Sequence, residues 1–432
     1  MKHIVFINRS YWPDVEATGQ LLTELAEDLA ANFRVSVICG QPVANPEQAV
    51  FRRSGREIRN GVEIRRVRHS RFRKSSFLGR LTNMVTFLLA ASWRAITLPR
   101  VDVVVVETDP PLLCLLGRFL QGVRRTRLIC YLQDIYPDVA VALGKLSPGL
   151  LARGSGWLFY SVYRRADRVV VLSRDMQNHL QQRGVARERI TCIANWVDTD
   201  RIVPVPPPNA FRRAQGFRDD QFVVMYSGNL GLSQRLEQLI DAADLLRDRP
   251  EFQFVLIGGG ANREPLEQRA RTRAVPHVRF LDYQPKSRLA ESLSAADLHI
   301  VFLDPRITHC LMPSKIYGIL AAGVPVLLLG AADSELAELV THHRLGRVVS
   351  GDDAAAIAAA VCEMASDQEF RQSAGARARA LAVERFDRRV AVAAFGRMLQ
   401  QTIAGGAAEG RDALPRETGA NLSAERRATL PE

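Results

Sequence analysis

The feature that most constrains this chain is a regular alternation of short apolar runs with amphipathic stretches, and the alternation occurs twice. Runs such as "HIVFIN" (3–8), "VDVVVVET" (101–108) and "VPVLLLG" (324–330) are apolar on both faces. Such runs predict strands buried on both sides of a parallel sheet, covered by the helices between them. The proline-rich segment "RIVPVPPPNAFRR" (201–213) separates the two series and predicts a stiff linker. We therefore expect an α/β fold with two doubly wound domains.

The pattern also divides the chain into segments, because 432 residues are too many for one ordinary core. The predicted segments are a first domain over 1–200, the linker over 201–213, a second domain over 214–385 and a C-terminal helix over 386–403 that can cross back to the first domain. Residues 404–432 contain almost no large apolar side chains, so we expect a disordered tail. No signal peptide is expected, because the chain opens on a strand.

Composition narrows the class of protein. Apolar residues make up 47% of the chain and charged residues 24%, which is typical of a soluble globular protein. The six cysteines include no CxxC pair and lie mostly in apolar runs, which indicates reduced, mostly buried thiols of a cytoplasmic protein. The eight histidines show no metal-ligand spacing, so no metal site is predicted.

Positive charge is concentrated in one stretch. Residues 51–80 hold eleven basic residues against two glutamates, and a charge-free run of 13 residues, 81–93, follows. That run is shorter than the ~20 residues of a membrane-spanning helix, but it fits a helix lying on an anionic membrane surface. The predicted membrane contacts are Arg65, Arg66, Arg68, Arg71, Arg73, Lys74, Phe87 and Trp93. The alternative is a core helix beside a solvated arginine loop; nucleic acid is not expected, because no RNA-binding or zinc motif accompanies the charge.

Two glycine turns in the second half suit a phosphate. "YSGNLGLSQRLEQLI" (226–240) and "LIGGGANREPLEQ" (256–268) each read as strand, glycine turn and helix, which lets backbone amides approach an anion. The candidate ligand-binding residues there are Gly228, Asn229, Gly231, Gln234, Arg235, Gly258 and Gly259. The first strand is not followed by GxGxxG, and only Gly19 precedes its helix, which argues against a dinucleotide cofactor.

A lysine occupies an unexpected place in "HCLMPSKIYGILAAGVPVLLLG" (309–330). Pro313 and Ser314 suit a helix start, with the serine accepting an amide hydrogen bond. Lys315 then falls in the first helical turn, where the dipole disfavours a cation unless an anion lies between them. Only five of the 58 basic residues are lysines. With the two glycine turns, Lys315 predicts a site for a diphosphate-bearing nucleotide; the alternative is a solvated surface lysine.

These stretches, with "YWPDVEATGQLLTELAEDLA" (11–30), "QDIYPDVAVALG" (133–144) and "NWVDTDRI" (195–202), resemble the retaining GT-B glycosyltransferases of family 4, the glycosyl transferases group 1. The resemblance covers nearly all of 1–400 and is closest to a bacterial surface-polysaccharide subgroup that includes fucosyl- and N-acetylfucosaminyl-transferring members. It implies two Rossmann-like domains that face a central cleft. It also implies that the second domain binds a nucleotide sugar and the first binds the acceptor, in a retaining transfer that needs no metal or other cofactor.

The resemblance further implies where the chain works and on what. The donor would be of UDP or GDP type, and the acceptor a lipid-linked or growing glycan at the inner face of the plasma membrane, as in exopolysaccharide or O-antigen synthesis. Two other functions stay open: a nucleotide-sugar 2-epimerase, which shares the fold, and a catalytically silent partner subunit.

Several family positions hold other residues here. The two glutamates that the family places eight positions apart correspond to Cys310 and Gly318, and the histidine before Asp134 is replaced by Gln133. The usual lysine of the first glycine loop is Gln234, with Arg235 beside it. The silent-subunit alternative rests on the two missing carboxylates.

The resemblance and the residues together give the site assignments. Lys315 would stabilise the leaving diphosphate, and Asp134 is the second catalytic candidate. Gly19, Gln133 and Asp134 are assigned to the acceptor, although Asp134 and Asp138 can also simply cap a short helix.

Two further residues of the second half complete the donor site. Tyr283 is assigned to the donor base, with core packing as its alternative. Glu335 is assigned to the ribose in place of the missing glutamate, and its alternative is a helix-start carboxylate with Ser334 or Asp333 as cap. The "DTD" of Asp198 and Asp200 is interpreted as linker rather than as a metal motif.

Overall fold

A computed structural model of the chain describes residues 1–14, 16–42, 54–72 and 77–405. The predicted disorder of the tail concerns residues beyond Gly405 and lies outside this part. The predicted membrane contacts Arg73 and Lys74 also lie outside it.

The predicted two-domain α/β architecture is confirmed, with two largely parallel sheets among the described residues. The first sheet contains β1 (His3–Ile7), β2 (Arg34–Cys39), β3 (Gly55–Arg59), β4 (Val62–Arg66), β5 (Val103–Val106), β6 (Arg127–Tyr131), β7 (Arg168–Val171) and β8 (Ile190–Cys192). Its order is β3-β4-β2-β1-β5-β6-β7-β8. The second contains β9 (Phe222–Ser227), β10 (Phe252–Ile257), β11 (Val278–Leu281), β12 (Leu298–Leu303), β13 (Val326–Gly330) and β14 (Gly346–Val349), in the order β11-β10-β9-β12-β13-β14.

Helices connect these strands. The first half contains α1 (Ala17–Leu29), α2 (Phe77–Ile96), α3 (Leu113–Arg124), α4 (Asp138–Ala142), α5 (Leu150–Tyr163) and α6 (Arg174–Gln182). The second half contains α7 (Ala210–Gln215), α8 (Glu237–Leu245), α9 (Arg263–Thr272), α10 (Leu289–Ser294), α11 (Lys315–Ala321), α12 (Glu335–His342), α13 (Ala354–Ser366), α14 (Gln368–Arg385) and α15 (Arg388–Ala404).

The cores lie where the apolar runs predict them. Every residue of β5, β10 and β13 is buried, because helices cover both faces of each sheet. Of the six cysteines, Cys39, Cys114, Cys130 and Cys310 are buried. None of the six is in a disulfide.

One strand was missed by the sequence analysis. β3 pairs antiparallel with β4 through an Asn-Gly turn, in which Asn60 has φ 46° and Gly61 has φ 80°. This dipeptide is the strongest short signal for a two-residue hairpin, and here it was obscured by the surrounding arginines.

The hairpin corrects part of the predicted membrane surface. Arg65 and Arg66 lie within β4, where Arg65 pairs with Glu63 at 2.5 Å and Arg66 pairs with Glu57 at 2.6 Å. Phe87, a residue of α2, is fully buried. These three residues therefore cannot be membrane contacts, because the two arginines are paired with glutamates and Phe87 is buried in the core. Arg68 and Arg71 are exposed, and Trp93 is 73% exposed.

The C-terminal helix α15 packs on the first domain. The ring of Phe395 lies 6.2 Å from that of Phe6 and 5.4 Å from that of Tyr131, centroid to centroid. Arg388, at the start of α15, pairs with Asp28 of α1 at 2.7 Å. The last helix thus crosses from the second domain onto the helix α1 side of the first sheet.

Candidate functional site

The carboxyl edges of the two sheets face each other. Asp134, just after β6, forms an antiparallel bridge with Leu311, which follows β12, and the amide of Ile135 donates to the carbonyl of Cys310 at 2.9 Å. Ligands of doubly wound sheets bind outside these strand ends. The loops that the sequence analysis singled out therefore lie at these facing edges, and we call the space between the edges the cleft.

Lys315 is the most unusual group in the cleft. Its Nζ lies 3.7 Å from the centroid of the Tyr226 ring, and a Cβ added to Gly228 would be 3.1 Å from that Nζ. Among the described residues, no side chain or backbone group accepts a hydrogen bond from it, and no carboxylate pairs with it. Burial lowers the pKa of Lys315 to about 7. A cation held in this way suits an anion that arrives from outside the protein.

The two glycine turns pack directly on each other beside this lysine. A Cβ on Gly258 would lie 1.9 Å from the carbonyl oxygen of Gly228, and both glycines have positive φ, 142° and 144°. The amide of Leu230 donates to the carbonyl of Gly259 at 2.8 Å. Only glycine permits this approach, so the turns form one surface of bare backbone.

Tyr283 stands at the rim of that surface. Its hydroxyl donates to the carbonyl of Gly259 at 3.1 Å, and a Cβ on Gly259 would meet its ring at 3.4 Å. The side chain is 61% exposed, so the alternative of core packing is wrong. An exposed ring beside a backbone cradle can stack on a nucleotide base.

The other residues of the first glycine turn maintain its shape. Gln234 accepts a hydrogen bond from the amide of Gly231 at 3.2 Å, and the hydroxyl of Tyr226 donates to the carbonyl of Asn229 at 2.8 Å. Arg235 forms an ion pair with Asp352. The charge of Arg235 is therefore neutralised by Asp352, whereas no described carboxylate pairs with Lys315.

The start of α11 departs from one expectation. Pro313 is buried and Ser314 is exposed immediately before the helix, but the Ser314 hydroxyl accepts no amide hydrogen bond. The predicted serine cap is wrong. Ser314 has helical backbone angles, φ −65° and ψ −22°, whereas a capping side chain needs an extended residue.

On the first domain, Asp134 is a carboxylate at the edge of the cleft, opposite the domain that holds Lys315. Within the described residues no donor reaches its carboxylate, and burial raises its pKa to about 6. Gln133 is buried and accepts a hydrogen bond from Asn195 at 2.9 Å. Gly19 lies in the first turn of α1, where a Cβ would meet that of Ser10 at 3.2 Å. A carboxylate with this pKa can exchange a proton near neutral pH.

Asp138, by contrast, is fully engaged. It accepts hydrogen bonds from Tyr160 at 2.6 Å and Arg183 at 2.6 Å, and His179 lies 3.4 Å away. Burial alone would raise its pKa, but the hydrogen bonds from His179 and Tyr160 and the charge of Arg183 lower it to about 2. We interpret Asp138 as an organiser of the first domain.

Glu335 joins the two domains. Its carboxylate accepts a hydrogen bond from the backbone amide of Arg174, at the start of α6, and lies 3.5 Å from the guanidinium of the same residue. In return, Asp175 accepts the Glu335 amide at 2.8 Å. Ser334 caps α12. This agrees with the alternative interpretation, in which Glu335 is a carboxylate at the start of a helix. The ribose role stays a prediction.

Some charged groups at the cleft edge were missed. Arg9, after β1, donates to Asp109 at 3.1 Å and to Glu16 at 3.4 Å. Glu107 follows β5 and is buried, and neither of its carboxylate oxygens has a hydrogen-bond partner among the residues that the structure describes. Burial raises its pKa well above the ordinary value. The available signal was a charged residue placed directly after an apolar strand.

Comparison with protein families matches both halves of the chain. The description "Glycosyltransferase Family 4" matches residues 18–201, and "Glycosyl transferases group 1" matches residues 209–381. The boundary between the matches falls within the proline-rich segment.

Two curated relatives illustrate the similarity, and both are bacterial proteins. The chain is 31% identical over 241 residues to the colanic acid biosynthesis glycosyl transferase WcaI of Escherichia coli, an alignment that covers 54% of this chain and 59% of WcaI. It is 26% identical over 267 residues to the glycosyltransferase WbjE of Pseudomonas aeruginosa, covering 61% of this chain and 66% of WbjE. The chain is thus matched to less than two thirds of the length of each relative.

Among solved structures, HepE of Anabaena, in complex with UDP and glucose, superposes with a TM-score of 0.72 at 19% identity. The superposition covers 93% of this chain and all of HepE, and it shows that the fold is shared. Residues 18–201 are therefore similar to glycosyltransferase family 4 domains and residues 209–381 to glycosyl transferases group 1 domains, and the chain has the GT-B fold.

Proposed function

We propose that this protein is a retaining glycosyltransferase that moves a sugar from a nucleotide-sugar donor to a lipid-linked or growing glycan acceptor of a bacterial surface polysaccharide. The observation that carries the proposal is a pair of charged groups at the facing edges of the two sheets, which the bridge between Asp134 and Leu311 brings together. Within the described residues nothing accepts a hydrogen bond from Lys315 and nothing donates one to Asp134, although Lys145 attracts the charge of that carboxylate. A protein that only binds a partner does not need such a cation and such a carboxylate at adjoining sheet edges.

The second domain would bind the donor. A diphosphate fits against the backbone of Gly228 and Gly258 with its charge beside Lys315, and Tyr283 is placed to stack on the base. As the bond between the sugar carbon and the phosphate oxygen breaks, negative charge grows on the diphosphate. A fixed ammonium there stabilises the transition state more than the ground state. This supply of positive charge from the chain underlies our expectation that no metal cofactor is needed.

The first domain would bind the acceptor. A new bond forms between an acceptor hydroxyl and the sugar carbon, and the hydroxyl proton has to leave. Asp134 can take that proton, because its pKa of about 6 keeps it ionised at neutral pH yet basic enough to act. The nucleoside diphosphate departs as the second product.

The direct test uses purified protein and a panel of UDP-, GDP-, dTDP- and ADP-sugars. Binding is measured as the rise in melting temperature, and turnover as free nucleoside diphosphate in the presence of a polyprenyl-diphosphate sugar acceptor. Acceptor-dependent release supports the transferase. Isomerised donor without release identifies an epimerase, and no chemistry with any donor supports the silent subunit. Lys2→Ala is a matched control for Lys315→Ala, since Lys2 pairs with Asp102 at the opposite edge of the first sheet.

The proposal extends to the place of the reaction. The relatives WcaI and WbjE carry glycosyltransferase names, and WcaI is named for synthesis of a surface polysaccharide. A lipid-linked acceptor of such a polymer is held in a membrane, so we place the enzyme at the inner membrane face.

A further inference from the structure

Three neighbouring helices of the first domain share an unusual outer surface. α2, α3 and α5 all connect successive strands across the same face of the first sheet, and α3 packs between the other two. Each helix buries one side against the sheet. The opposite side of each should therefore be polar in a protein that meets only water.

The outer surface is instead apolar. On α2 the exposed residues recur every three or four positions along one face: Leu78 (71% exposed), Leu81 (40%), Val85 (41%), Leu89 (66%) and Trp93 (73%). On α3 they are Phe119 and Val123, and on α5 they are Leu150, Leu151, Trp157 and Leu158. Exposed apolar patches of this extent mark interaction sites.

The charges on these three helices indicate what kind of partner the surface fits. None of the three helices contains an acidic residue, and each carries an exposed arginine, namely Arg80, Arg118 and Arg153. Exposed tryptophan beside arginine suits the boundary between lipid headgroups and acyl chains. Within the described residues, moreover, no helix combines the length and the apolar character needed to cross a bilayer.

We propose that the outer surface of α2, α3 and α5 docks on an anionic lipid bilayer, with its leucines and tryptophans inserted at the headgroup level and its arginines on the phosphates. The proposal extends the proposed function, because it names the surface that would hold the enzyme beside a membrane-bound acceptor. Of the membrane contacts predicted from the sequence, the proposed surface keeps only Trp93. The residues in β4 and Phe87 are not part of it.

The test is sedimentation with vesicles made of one part phosphatidylglycerol to three parts phosphatidylcholine. A triple variant, Leu89→Gln, Trp93→Gln and Trp157→Gln, should lower the partition coefficient at least about tenfold, because three exposed apolar side chains no longer insert. The matched control is Leu245→Gln on α8, which is 61% exposed on the second domain and should bind as the wild type does. Replacing Arg80, Arg118 or Arg153 with Gln should weaken binding about fivefold each, and high salt should do the same.

The proposal would be overturned if the wild-type protein did not bind these vesicles, or if the triple variant bound them as well as the wild type does. So would a wild-type dimer in lipid-free solution that the triple variant converts to a monomer, since the surface would then be an interface between two copies. The nucleotide-induced rise in melting temperature, measured on the same variants without lipid, reports only on the cleft. Loss of that rise with vesicle binding intact would count against the proposed function and leave the docking surface standing.

Discussion

The two edges of the cleft differ in the groups they expose: one presents mainly backbone and the other mainly charged side chains. On the second domain, the edge is mostly bare backbone, in which Gly228 and Gly258 touch through their main chains, and Lys315 lies beside them without a carboxylate partner among the described residues. On the first domain, the edge is made of charged side chains that pair with one another, such as Arg9 with Asp109, and in the described part of the chain no donor reaches Asp134. If the proposed function holds, the backbone of the second domain would bind the phosphates that all donors share, whereas the side chains of the first domain could vary from one acceptor to another.

The strongest test of this contrast is Lys315→Ala. Removing the unmatched cation should lower turnover about 100-fold or more, as loss of one preorganised charge donor does in other active sites. The melting temperature of the unliganded protein should change little, since among the described residues Lys315 has no carboxylate partner and its ammonium loses only its contact with the Tyr226 ring. Turnover close to that of the wild type would refute the role. Lys315→Arg should restore activity only in part, because a planar guanidinium occupies the space beside Gly228 differently.

Asp134→Asn and Asp138→Asn form a matched pair on the other edge. The first should lower turnover by about 100-fold, with stability unchanged, and should abolish the rise of activity with pH through about 6 that a general base with this pKa produces.

The second change should do the reverse. Asp138 accepts hydrogen bonds from Tyr160 and Arg183, so its substitution should lower stability by about 2 kcal/mol and affect turnover little. Its low folded pKa of about 2 adds stability that is present above the unfolded pKa and is lost as the pH falls toward 2. Equal effects of the two changes would remove the distinction between catalytic and organising carboxylates.

A smaller effect concerns the pH dependence of donor binding. In the free protein the pKa of Lys315 is about 7, and a bound diphosphate should raise it. Affinity for a nucleotide sugar should therefore be greatest below pH 7 and fall by up to about tenfold per unit above it, until the pH reaches the pKa of the complex. Isothermal titration calorimetry in two buffers would also register the proton taken up. Lys315→Arg should show a flat profile over this range, because guanidinium keeps its proton.

The smallest predicted effect is that of Glu335→Gln. Because the Glu335 carboxylate already serves the amide and guanidinium of Arg174, the change should cost under about 1 kcal/mol of stability and leave donor affinity alone. The measurement is the Michaelis constant for the donor and for its 2′-deoxy analogue. A marked rise for the natural donor, with little further loss for the analogue, would establish the ribose role.

Prediction from sequence succeeded where the signal was local. The strands were visible as apolar runs, and the glycine turns and Lys315 stood at the ends of such runs, so their shared edge followed from parallel topology alone. It failed where pairing and burial depend on how the chain folds. Arg66 was counted as free charge because the hairpin that places Glu57 of β3 opposite β4 was missed, and Arg65 was counted as free although Glu63 lies two residues away. Phe87 was counted as surface, but the folded domain buries it.

By itself, the sequence determined the class of fold, because strands apolar on both faces have to be covered by helices. It also determined the close contact of the two glycine turns in the second domain, because only glycine allows backbone to approach so closely. Tertiary structure decided which charges remain available. Lys315 and Arg235 are both cations beside one glycine turn, yet Asp352 neutralises the second and no described residue neutralises the first. Charge pairing depends on distances between segments more than a hundred residues apart, and those distances exist only once both sheets have formed.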